Sequence, residues 1–134
     1  CWEAYMDCII VVYGKSGTGK TTIINDVYNN LIQKGAAVKM PRKQVGANPK
    51  DFEAVLTYQN KSIAFMSMGD YVLAANQAVV SYRAENILIV AYNTRHATLK
   101  SDWLKNTSVI QIVKKSSPTP ADNMQAEQQV VGLI

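Results

Sequence analysis

Residues 9–24 read Ile9-Ile-Val-Val-Tyr13-Gly14-Lys15-Ser16-Gly17-Thr18-Gly19-Lys20-Thr21-Thr22-Ile23-Ile24, and Gly14 to Thr21 match G-x-x-x-x-G-K-[ST] at every fixed position. The residue types suit a polyphosphate, which needs many donors converging on it. Glycines let the backbone turn tightly because they tolerate positive φ. Successive N–H groups then form an anion nest, and a following helix adds free N–H groups and the positive end of its dipole. Both flanks of the motif have the context such a loop requires. Upstream, Cys8-Ile-Ile-Val-Val-Tyr13 is a short unbroken apolar run, as in a central parallel strand. Downstream, Ile23, Ile24, Val27, Tyr28, Leu31 and Ile32 form a helical stripe that Gly35 ends.

Strand, loop and helix together resemble the Walker A element of P-loop NTPases, a resemblance carried by residues 9 to about 34. It implies that Gly14, Lys15, Ser16, Gly17, Thr18, Gly19, Lys20, Thr21 and Thr22 bind the phosphates of ATP or another NTP. Lys20 would reach the β- and γ-phosphates, and the Thr21 hydroxyl would ligate Mg²⁺.

Outward from the loop, Ala36–Met40 is a short strand closed by Pro41, and 41–50 is a loop by its Pro, Gly and Asn content. That loop carries Arg42, Lys43 and Lys50, read either as neighbours of the nucleotide or as a solvated basic surface. Residues 52–59 and 62–68 are apolar runs across Asn60-Lys61, which predicts a hairpin; 52–59 also fits helical spacing. The second run ends in Ser67-Met68-Gly69-Asp70. An Asp at the C-terminal end of an apolar strand is where a Mg²⁺-holding carboxylate sits in P-loop folds, so Asp70 is the candidate metal residue beside Thr21. Tyr71–Glu85 has helical spacing. Asn86–Tyr92 is a third core strand expected beside the first, ending in Asn93-Thr94-Arg95-His96. Asn93 is a candidate contact to the γ-phosphate or a water, and Arg95 a candidate for neutralising transferred charge. His96, the single histidine, reads as a loop residue. Further on lie a short helix over 97–106, a strand over 109–113, a linker over 114–120 and a closing helix over 121–134 with Met124, Val131 and Ile134 as its stripe. The Ser67–Asp70 and Asn93–Arg95 corners are similar to those of small bacterial and phage P-loop proteins.

The expected architecture is one α/β P-loop domain over 1–134. It has three αβα layers and a mainly parallel sheet with an antiparallel hairpin strand. Composition agrees: 134 residues, 48% apolar and 18% charged, exclude a disordered chain and leave little room for a separate lid or substrate domain. The net charge of +4 admits a nucleic-acid partner, but the only adjacent basic pairs are Arg42-Lys43 and Lys114-Lys115, so there is no basic tract. No apolar run is long enough to span a membrane. The two cysteines, Cys1 and Cys8, are expected as free thiols of a cytoplasmic protein. No Asp-x-x-Gly occurs, and Asn60-Lys61-Ser62-Ile63 lacks the Asp of guanine recognition, which favours ATP. The expected function is Mg²⁺-dependent ATP binding with hydrolysis or phosphoryl transfer to an acceptor the sequence does not name. The alternatives are a nucleotide-responsive switch or assembly subunit, with oligomerisation or a protein partner, and a nucleic-acid-associated ATPase.

Overall fold

The computed structural model describes residues 6–69, 71–95, 103, 107 and 109–134, with Val72 described by its backbone alone. In chain order the elements are β1 (Cys8–Gly14), α1 (Lys20–Gln33), β2 (Ala37–Gln44), β3 (Phe52–Tyr58), β4 (Lys61–Met66), α2 (Val72–Ser81), β5 (Ile87–Asn93), β6 (Ile110–Lys114) and α3 (Pro120–Gly132). The strands form one sheet in the order β2-β3-β4-β5-β1-β6. Strand β1 pairs parallel with β5 and β6, and β4 pairs parallel with β5, while β3 runs antiparallel to both β2 and β4.

Ile9, Ile10, Val11 and Val12 of β1 are all fully buried, so both faces of this strand are covered. Side chains alternate across a strand. Ile10 and Val12 accordingly pack with Ile23, Ile24, Val27 and Leu31 of α1 and with Ala126 and Val130 of α3. Ile9 and Val11 pack on the opposite face with Ala75, Ala78 and Val79 of α2 and with Trp103. The three αβα layers and the mainly parallel sheet are those expected, and β5 lies beside β1.

Several boundaries differ from expectation for local reasons. Strand β2 runs on through Pro41 because it is an edge strand whose register shifts between Val38 and Met40 and again between Met40 and Lys43. Pro41 falls in that irregular stretch, where the ladder asks no N–H of it. The hairpin turn is Gln59-Asn60, one residue earlier than expected, with φ of 49° and 65° and with Tyr58 opposite Lys61. Helix α2 stops at Ser81 because Asn86 pairs with β4: its backbone N–H donates to the Ser62 carbonyl (3.1 Å), and its Oδ1 accepts from the Ser62 N–H (2.9 Å). In α3, Ala126 and Val130 turn inward, Val131 and Ile134 are partly buried and Met124 is exposed. The helix lies against α1, and two small side chains one turn apart suit that contact. The expected helix over 97–106 lies outside the described residues except for Trp103. That residue is buried edge-on against Tyr92 (5.2 Å between ring centres), with Nε1 donating to Asn76 Oδ1 at 2.8 Å.

Cys8 is a free, half-buried thiol, and burial pushes its pKa up; Cys1 lies outside the described residues. Among the described residues no helix is long and apolar enough to cross a membrane.

Candidate phosphate-binding site

Strands β1, β4, β5 and β6 all point their C-terminal ends toward one edge of the sheet, the edge where open α/β sheets bind ligands. The G-x-x-x-x-G-K-T loop leaves β1 at that edge. Gly17 and Gly19 have φ of 78° and 92°. Gly19 is also the N-cap of α1, in the left-handed conformation and with no side-chain capping bond. A residue with Cβ would be strained there. The first turn of α1 holds no acidic residue, so its N–H groups and dipole face the loop with no carboxylate of their own to satisfy them. Helix α3 begins differently. Thr119 Oγ1 accepts from the Asp122 N–H, Pro120 follows the cap and Asp122 lies in the first turn, which closes that terminus structurally.

Lys20 is 6% exposed, and its Nζ donates to the Lys15 carbonyl across the loop at 2.7 Å. Thr18 Oγ1 donates to the same carbonyl at 2.7 Å. Thr21 Oγ1 donates to Asp51 Oδ1 (3.1 Å) and lies 3.5 Å from the Ser67 carbonyl. Ser67 Oγ donates to the same Asp51 oxygen at 3.2 Å and accepts from the Phe52 N–H at 2.9 Å. Lys20, Thr21, Asp51, Ser67 and Gly69 line a cleft of about 330 Å³ together with Gly17 and Gly19. On the other side of the loop, Tyr13, Lys15, Thr94 and Lys115 line a second cleft of about 440 Å³.

Asn93, at the end of β5, donates from Nδ2 to Ser16 Oγ at 2.8 Å and accepts at Oδ1 from the Arg95 N–H at 2.9 Å. Its own N–H reaches the Gly69 carbonyl (3.1 Å), and the Thr94 N–H reaches the Gly14 carbonyl (3.1 Å). The corner after β5 is thus bonded directly to the loop, with Arg95 exposed beside it. Thr22 is exposed at the start of α1. Asp70 lies outside the described residues, as does His96. Of the basic residues read either as neighbours of the nucleotide or as a solvated surface, Arg42 covers the rings of Phe52 (3.9 Å) and Tyr28 (5.5 Å) and hydrogen-bonds Asn25 Oδ1. The 45–51 segment meets the cleft through Asn48 and Asp51.

The far end of the chain closes over the loop. The Lys115 N–H donates to the Tyr13 carbonyl at 2.7 Å, and the Lys115 backbone crowds the α-carbon of Gly14. The buried Lys115 ammonium pairs with Asp122 Oδ2 (2.6 Å) and donates to the Ser117 carbonyl (2.5 Å). The Lys115 hydrogen bond to Asp122, aided by the Ser116 and Ser117 N–H groups, holds the Asp122 carboxyl below its ordinary pKa. A Cβ on Gly19 would come within 2.9 Å of Asn123 Oδ1.

The family model AAA, "ATPase family associated with various cellular activities", matches residues 10–124. That span runs from β1 through the loop, the hairpin and the β5 corner into α3. The chain belongs to the AAA family. Membership carries ATP binding and hydrolysis as the family's activity. No curated protein and no solved structure gave a match.

The AAA match does not assign roles to individual residues, but the geometry separates the sequence candidates. The loop residues, Thr21 and Asn93 come together. Asp51 joins them although it has no motif around it in the sequence. The signal that could have found it is topological: an antiparallel strand delivers its N-terminal residue to the edge where parallel strands deliver their C-terminal ones.

Proposed function

We propose that this AAA-family chain binds Mg²⁺–ATP in the Gly14–Thr22 loop and hydrolyses it or transfers its terminal phosphoryl group. The observation that carries the reading is the buried Lys20, stretched across a loop that opens onto an uncapped helix N-terminus, with Thr21 facing an oxygen-rich cleft. Lys20 exchanges its Lys15 carbonyl partner for β- and γ-phosphate oxygens, and the loop amides and the first turn of α1 hold the rest.

The Thr21 hydroxyl, the Asp51 carboxylate and the Ser67 oxygens are hard donors of the type Mg²⁺ accepts beside phosphate and water. Thr21 and Asp70 are the proposed metal residues. When bound, the cation would neutralise charge between the phosphates. Asn93 orients the terminal phosphate or the attacking water, and Arg95 balances the transferred charge. Residues 1–134 act as one nucleotide-binding domain in this reading, with the cytoplasm as its compartment. The Ser67–Asp70 and Asn93–Arg95 corners support likeness to small bacterial and phage P-loop proteins.

The test is ATP affinity and ADP release with and without Mg²⁺, for the natural chain and Lys20→Ala. Loss of a buried charge-assisted contact, about 1.5–3 kcal/mol, predicts roughly 10- to 150-fold weaker ATP binding and no turnover. Tight binding retained by Lys20→Ala would overturn the reading. ADP release that rises with a particular nucleoside monophosphate or small hydroxylated metabolite would select transfer over hydrolysis.

A nucleotide-responsive assembly subunit is the second reading, favoured by Tyr71, Leu73 and Val80, large apolar residues exposed on and beside α2. Nucleotide-dependent change in sedimentation would support it.

A further inference from the structure

We infer that Asp51 is a further carboxylate, beside the proposed Asp70, that couples the site to its divalent cation, acting through Thr21 and supported by Ser67. The inference rests on the Mg²⁺–ATP reading above and names a residue to which neither the loop motif nor the family match gives a role. Three observations carry it. First, Thr21 Oγ1 donates to Asp51 Oδ1 at 3.1 Å. A hydroxyl whose proton is taken by a carboxylate turns its lone pairs outward, the orientation a metal ligand needs. Second, Asp51 is itself positioned: Ser67 Oγ donates to the same oxygen at 3.2 Å, and the Phe52 N–H fixes that hydroxyl at 2.9 Å. Backbone bonds between Ser67 N–H and the Phe52 carbonyl (3.1 Å), and between Asp51 N–H and the Asn48 carbonyl (3.0 Å), hold both ends. Third, the carboxylate lines the same cleft as Lys20 and Thr21, with about 330 Å³ of space beside it.

The electrostatics give this role an unusual signature. A carboxylate facing a triphosphate repels it when no cation intervenes and attracts the cation–triphosphate pair when one does. Replacing Asp51 with the isosteric amide should therefore lower affinity with the cation present and not lower it without the cation. A carboxylate needed only for folding would lower both.

The experiment is a titration with a fluorescent ATP analogue, in excess EDTA and in excess Mg²⁺, for the natural chain, Asp51→Asn and Asp51→Glu. Removing a carboxylate that orients a metal ligand typically changes metal affinity by about 10- to 100-fold. The expected result for Asp51→Asn is a loss of that order in Mg²⁺ and unchanged or tighter binding in EDTA. Asp51→Glu should recover part of the Mg²⁺ response. Electron paramagnetic resonance of Mn²⁺ with ADP should show the bound signal of the natural chain released in Asp51→Asn. Mg²⁺-enhanced binding in the natural chain that Asp51→Asn keeps would overturn the role of Asp51 and leave the proposed function standing. Equal losses in EDTA and in Mg²⁺ would also overturn it. Absence of any ATP binding by the natural chain would instead defeat the nucleotide reading, and this inference with it.

Discussion

A methyl group added at position 69 would come within 2.6 Å of both the backbone carbon and the Cβ of Ala91. Gly69 is buried where the chain leaves β4 and crosses close to β5, and its carbonyl receives the Asn93 N–H. Gly69→Ala must push the two strands apart. Overpacking of this kind costs about 1–3 kcal/mol, which lowers Tm by several degrees in a domain of this size. Thermal unfolding followed by circular dichroism checks it. Because Gly69 also lines the cleft that holds Thr21 and Asp51, the variant should weaken Mg²⁺–ATP binding as well. The shape of the loop was legible because it is local: Gly17 and Gly19 hold left-handed backbone and Gly19 opens α1, so eight consecutive letters were enough to expect the turn into the helix. Asp51 and Ser67 are 16 positions apart and meet Thr21 only through hairpin register, and no local pattern records that.

At the scale of elements, the hairpin and the last helix make separate predictions. Gln59 and Asn60 both hold left-handed backbone in the two-residue turn, an arrangement suited to Asn-Gly. The double change Gln59→Asn with Asn60→Gly should raise stability by up to about 1 kcal/mol without affecting nucleotide affinity. Urea unfolding measures the first, and the fluorescent-ATP titration the second. Helix α3 is tied by Asp122 to the buried Lys115 ammonium. The Asp122 carboxyl has a folded-state pKa below its ordinary value, chiefly through that hydrogen bond. Its contribution is therefore complete above the ordinary carboxylate pKa near 3.9 and is lost as pH falls through the lower folded value. Protection of the α3 amides, relative to intrinsic exchange at each pH, should fall across that acid range in the natural chain. In Asp122→Asn it should already be low at neutral pH. The helix itself was legible from its apolar residues, and its inward face in part. Periodicity offered Met124, Val131 and Ile134; the last two pack against the core, Met124 is exposed, and contact with α1 adds Ala126 and Val130.

At the scale of the whole molecule, β5 lies between β1 and β4, and β3 runs against its neighbours. That arrangement brings Gly14, Ser67, Gly69, Asn93 and Lys115 to one edge from four parallel strands, and Asp51 from an antiparallel one. The layers and the parallel core could be read because buried central strands are unbroken apolar runs. The edge strand β2 could not be bounded, because a proline that would end an interior strand is tolerated where no ladder bond is required. The loop is also buttressed from a distant part of the chain, by Lys115 against Gly14 and Asn123 against Gly19. Proteins are made from the N-terminus at about 5–20 residues per second. The stretch between Lys20 and α3 therefore represents roughly 5–20 s of elongation. Throughout that interval a nascent chain displays the entire glycine-rich motif without the segment that braces it. If the proposed function holds, ATP present during translation would meet a braced loop only after α3 has cleared the ribosome.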